Sequence, residues 1–155
     1  MKKLLIIIIL LLIPVHALSQ TKEKAQNIFL KELNNILQNS DQQHWKYSGK
    51  MSIDSAFSIN EKGNLVATVR YKTDSSFVRT KMEAPINKAK AVGYDLYLIL
   101  EYVKDDVIIS ESARNSNELV NKFRSNLFHI GIPLQNGYKE QEKLQYLLKQ
   151  LLKFY

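Results

Sequence analysis

Between Met51 and Ile86 the chain alternates apolar and polar residues with period two. Met51, Ile53, Ser55, Phe57 and Ile59 alternate with Ser52, Asp54, Ala56 and Ser58. Leu65, Ala67, Val69 and Tyr71 alternate with Val66, Thr68, Arg70 and Lys72, and Val78, Thr80, Met82, Ala84 and Ile86 continue the apolar set. Such alternation sends successive side chains to opposite faces of a strand. Two turn-forming clusters divide the stretch into three strands. "NEKGN", Asn60 to Asn64, suits a type I turn with Gly63 left-handed in a G1 bulge. "TDSS", Thr73 to Ser76, closes the second hairpin, and Pro85 marks a frayed or edge end. After a short connection, "NKAKAVG", residues 95–103 ("DLYLILEYV") are almost wholly apolar, the pattern of a central strand covered on both faces. "KDD", Lys104 to Asp106, turns the chain into a fifth strand over 107–110.

Helical spacing governs the two ends. Ala25, Ile28, Phe29, Leu33, Ile36 and Leu37 recur at period 3.6 and predict a helix from Thr21 to Gln38. Leu144, Leu147, Leu148, Leu151 and Leu152 predict another from Lys139 to Phe154, with Lys143, Lys149, Gln150 and Lys153 opposite. "NSNELVNKF" predicts a third between them. Asn115 stands at the N-cap and Glu118 three residues on; Leu119, Val120, Phe123 and Leu127 form its apolar face, and Gly131 and Pro133 stop it. The expected fold is α+β: an N-terminal helix, a five-stranded antiparallel meander sheet, and two C-terminal helices packed on one face.

The first residues follow neither period. Lys2 and Lys3 precede ten uninterrupted Leu and Ile, Leu4 to Ile13; Pro14 breaks the run, and "VHALSQ" supplies small residues. A basic start, a short apolar core and a small-residue exit describe a secretory signal peptide, residues 1–19, cleaved after Ala17 or Ser19. A spanning helix needs about 20 apolar residues; an uncleaved N-terminal anchor is the alternative. Residues 20–155 form one α+β domain by length, exported to the periplasm or secreted. Removing Lys2 and Lys3 lowers the formal charge from +7 to +5. The chain has no cysteine, so it relies on an apolar core and not on disulfides.

Charge gives the leading candidate site. The two turns fix the pairing. They set Asp54 opposite Arg70, Ser52 opposite Lys72, Arg70 opposite Arg79, Lys72 opposite Phe77, and Thr68 opposite Lys81. Like charges face to face cost stability. In this register Asp54 neutralises Arg70 but not Arg79, Glu83 takes Lys81, and one or two cations remain beside Phe77. The face around Arg70, Lys72, Phe77, Arg79 and Lys81 reads either as a solvated sheet surface or as a contact surface. Paired arginines suit a carboxylate, phosphate or acidic sugar, and an acidic protein partner is the further option. Nucleic acid does not fit an exported chain of modest charge with no outward aromatic series.

Catalytic signals are sparse. Past the signal the histidines are His44 and His129. Neither belongs to a zinc-binding spacing, Gly-rich phosphate loops and G-x-S-x-G are absent, and no cofactor or metal is implied. Glu101 interrupts the apolar strand, and Tyr94, Tyr97 and Tyr102 surround it. The expected function is a non-catalytic, envelope-associated binding module for an anionic ligand or partner. The alternatives are a hydrolase using His129 and a carboxylate, or a carrier with an apolar pocket between the sheet and the C-terminal helix.

Overall fold

The computed structural model describes residues 21–39 and 50–155. The signal segment, the cleavage site, His44 and Trp45 lie outside the described residues. Helix α1 covers 21–39. Strands β1 (Met51–Ile59), β2 (Asn64–Lys72) and β3 (Phe77–Pro85) follow, then a 3-10 turn, Ile86–Lys88. After it come β4 (Ala89–Asp95), β5 (Tyr97–Tyr102), β6 (Val107–Ser112), β7 (Leu119–Ser125), β8 (Leu127–Ile130) and helix α2 (Tyr138–Leu152). The fold is α+β with antiparallel pairing throughout, but the strands form two sheets: one ordered β1-β2-β3-β6-β7, the other β4-β5-β8. The five-stranded sheet is therefore not a simple meander. After β3 the chain leaves it, builds the β4–β5 hairpin of the second sheet, and returns as β6 beside β3.

Two expectations are corrected here. The first is the connection "NKAKAVG", which is mostly strand β4. Its small residues conceal the strand pattern. Ala89 and Val92 are buried, and a Cβ on Gly93 would come within 2.5 Å of Glu101 Oε1 on the neighbouring strand. Leu96, at φ 61°, makes the tight reversal that sets Asp95 opposite Tyr97.

The second is the helix expected from Asn115, which is replaced by β7 and β8. Asn115 does not cap a helix. It adopts a left-handed conformation, and its side-chain and backbone groups bond the N–H and C=O of Phe77. The N–H of Glu118 donates to Ser116 Oγ, a local turn in place of a capping box. The strand after it pairs with β6, which helical propensity alone cannot register. Hence one C-terminal helix, α2, packs on the sheets, and not two.

One contiguous core is built from both helices and from strands β1 to β6 and β8. Phe29, Leu33 and Leu37 of α1 and Leu144, Leu148 and Leu151 of α2 are buried against Leu65, Leu98, Leu100, Phe128 and Ile130. Burial of each such side chain contributes about 1.5–3 kcal/mol before chain entropy is subtracted. Leu144, Leu148 and Leu151 fill the face of α2 that packs on the core. Along β5 burial alternates: Leu98, Leu100 and Tyr102 face the core, while Tyr97, Ile99 and Glu101 are half-buried. This strand is central in its sheet, but only one face is fully covered.

Each helix also covers a sheet edge. Asn34 of α1 accepts from the N–H of Phe57 (2.7 Å) and donates to its C=O (3.1 Å). Gln145 of α2 accepts from the N–H of Val92 (2.8 Å), and Gln141, one turn earlier, donates to its C=O (3.0 Å). Edge strands β1 and β4 are thus partly satisfied by amide side chains, which removes templates for edge-to-edge pairing.

Candidate functional site

The β2–β3 hairpin places the cations. Thr73 and Ser76 close it through backbone and hydroxyl bonds, and its register sets Arg70 opposite Arg79, Lys72 opposite Phe77 and Thr68 opposite Lys81. The preceding hairpin turns as expected: Gly63 is left-handed at φ 76° and donates to Asn60 C=O at 2.8 Å. Beyond Ser58, however, β1 departs from the expected pairing. Two irregularities, between Ser58 and Ser55 and between Ser55 and Ile53, bring Ser52 opposite Arg70 and leave Asp54 outside the ladder. Bulges redirect side chains in this way.

The redirected Asp54 sits between both arginines. Arg70 grips it with two bonds of 3.0 Å, Nε to Oδ1 and Nη2 to Oδ2, and Arg79 Nε also donates to Oδ2. The expectation that Asp54 neutralises Arg70 alone is corrected. The loop between β6 and β7 adds two acceptors. Asn117 C=O takes Arg79 Nη1 at 2.7 Å, and its side-chain oxygen takes Arg70 Nη2 at 3.3 Å. The Arg70 guanidinium also lies 4.3 Å from the centre of the Phe77 ring, a cation–π contact. Lys81 pairs with Glu83 at 2.8 Å, as expected.

These contacts set the electrostatics. The Arg70 hydrogen bonds hold the Asp54 carboxyl below its ordinary range; partial burial opposes them, and Arg79 adds to them. Lys81 and then Asn64 hold Glu83 low. Asp54 is 16% exposed, and Arg70 and Arg79 are 24% and 22% exposed. Strands β1 to β3 carry four cations, Arg70, Lys72, Arg79 and Lys81, and two carboxylates, Asp54 and Glu83, so two positive charges are in excess on these strands. Lys72 is exposed at the rim. All five expected residues, Arg70, Lys72, Phe77, Arg79 and Lys81, fall on this one face.

A second concave surface lies between the sheets, with a cavity volume of about 370 Å³. Tyr71, Met82, Ile109 and Phe123 line it from the first sheet, Tyr97 and His129 from the second. The His129 ring stands edge-on to Tyr97 with centres 5.1 Å apart, and burial lowers its pKa, so the imidazole is neutral at pH 7. The helix expected to stop at Gly131 and Pro133 would put His129 near its end; it is on strand β8 instead. Glu111 of β6 also lines the cleft and went unremarked in the sequence. The signal available was its parity with Val107 and Ile109, which sets a carboxylate on an otherwise apolar strand face. Among the described residues no cluster of His, Asp and Glu could hold a metal ion, and no helix is long and apolar enough to cross a membrane.

Compared with protein-family models, curated proteins and solved structures, the chain matches none.

Proposed function

We propose that this protein is an exported, non-catalytic binding module that meets an anionic ligand or an acidic protein partner through the outer face of its five-stranded sheet. The observation that carries this reading is the Arg70–Asp54–Arg79 cluster. One carboxylate holds two guanidinium groups side by side, so their geometry is set before any ligand arrives. Preorganised groups lose less freedom on binding. The bonds of the cluster engage Nε and Nη2 of Arg70 and Nε and Nη1 of Arg79. Arg70 Nη1 and Arg79 Nη2 are the donors to offer a carboxylate or phosphate, with Lys72 and Lys81 supplying longer-range attraction. Export rests on the N-terminal sequence pattern.

The test is titration of the isotopically labelled protein with a hexaglutamate peptide and, separately, with inorganic phosphate. Arginine Nε–H resonances would be followed at low salt and at 0.5 M NaCl. The expected result is saturable movement of the Arg70 and Arg79 signals that weakens strongly in high salt. Lys72→Glu should weaken it further without unfolding the protein. Unmoved arginine signals at low salt with both probes would overturn the reading.

A further inference from the structure

The cleft between the sheets has the opposite chemistry to the outer face. Its walls are aromatic and aliphatic, its histidine is neutral, and the charged side chain among its described lining residues is a carboxylate, Glu111. Strand register sets Glu111 between Thr80 and Val120. Among the described residues it enters no ion pair. No Lys or Arg is among the described residues that line the cleft. The volume, about 370 Å³, is at the lower end of the range of small-molecule sites, about 300–1,000 Å³.

Any ligand filling this cleft must cover Glu111 and strip water from it. A neutral apolar ligand would leave the carboxylate desolvated and unpaired, which is unfavourable. An anion would add repulsion. A cation offsets the lost hydration by a charge-assisted hydrogen bond. The aromatic rings of Tyr71, Tyr97 and Phe123 line the cleft and can attract positive charge, while Met82 and Ile109 accept an apolar body. We infer that the cleft is a binding site for a small organic ammonium ion with an apolar or aromatic body, its cationic head on Glu111 and its body against Phe123, Ile109 and Met82. The site is independent of the anion-binding face, and either can fail without the other.

The experiment compares three probes of one shape: phenethylammonium, phenethyl alcohol and 3-phenylpropionate, each titrated calorimetrically and by chemical shift into the wild-type protein. The ammonium ion is expected to bind about tenfold or more tightly than the alcohol, the scale of one charge-assisted bond, with shifts centred on Phe123 and His129. The carboxylate is expected not to bind. Glu111→Gln should remove the preference for the ammonium ion and leave alcohol binding unchanged. Phe123→Ala, at a half-exposed position, should weaken both. Equal affinities for ammonium and alcohol, no binding of the ammonium ion, or an unchanged preference in Glu111→Gln would each overturn the assignment.

Discussion

The two faces of the five-stranded sheet solve opposite problems. On the outer face, Arg70 and Arg79 stand directly opposed in the ladder, an arrangement that would repel if left alone. A bulged neighbour strand inserts Asp54 between them, and Asn117 closes the cluster from the β6–β7 loop. On the inner face the neighbours are mostly apolar or aromatic, with Thr80 directly opposite, and Glu111 makes no ion pair to any described residue. Thus cations that look excessive along the chain are largely matched by partners that only the fold supplies. A carboxylate that looks ordinary along the chain, Glu111, has no ion pair among the described residues and lines a cleft. Local charge density is a poor guide to where a sheet has unmet electrostatic demand; the partners across strands decide it.

The sharpest way to break the contrast is Asp54→Asn. It removes the charge that separates the two arginines, and it should cost about 2 kcal/mol, the scale of lost hydrogen bonds to charged groups. Chemical denaturation would measure it. Adding Arg79→Gln should recover part of the loss by relieving the repulsion; no recovery would mean that the arginines do not oppose each other in solution.

Acidification separates the faces next. Asp54 and Glu83 have lowered folded-state pKa values. Their stabilisation is complete above the ordinary carboxylate value, about 3.9–4.3, and is lost as pH falls through the folded values. His129 is also lowered, by burial. The unfolded chain then takes its proton first, so stability begins to fall below about pH 6.5 and continues to the lowered folded value. Denaturation midpoints between pH 3 and 8 should show both regions. Asp54→Asn should shrink the acidic one, leaving the part due to Glu83, and a His129→Phe variant should flatten the upper one alone.

A smaller effect is expected at Glu111→Leu. Replacing a carboxylate on a half-buried apolar face should leave stability unchanged or raise it by up to about 1 kcal/mol. A clear loss on urea titration would show that Glu111 holds the fold and is not reserved for a ligand. Least of all should Lys72→Gln matter. At the exposed rim its effect on stability should stay within about 0.5 kcal/mol; a larger change would show that Lys72 belongs to the charged cluster.

The legible parts of this protein were those written over short distances. The β2–β3 register, the Gly63 turn, the Lys81–Glu83 pair and both terminal helices follow from turn chemistry and hydrophobic period. The stretch from Asn115 to Ile130 misled because Leu119, Val120, Phe123 and Leu127 also satisfy a helical stripe. Asn115 and Ser116 are as suited to turns as to caps, and the competition was resolved by Phe77, 38 residues away. β4 was concealed because Ala89, Ala91 and Gly93 are small and break the apolar alternation, while the close approach of Glu101 to Gly93 comes from the neighbouring strand.

By itself the sequence determined the α+β class, the hairpin that aligns Arg70 with Arg79, and the helices at either end of the described chain, because nearest-neighbour backbone geometry and side-chain period suffice for these. Tertiary structure alone decided that β6 returns to β3, that Asp54 leaves its ladder to sit between two arginines, and that Glu111, Tyr97 and His129 line one cleft. Each depends on contacts between residues far apart in the chain, whose energies arise only when the strands pair and the core closes.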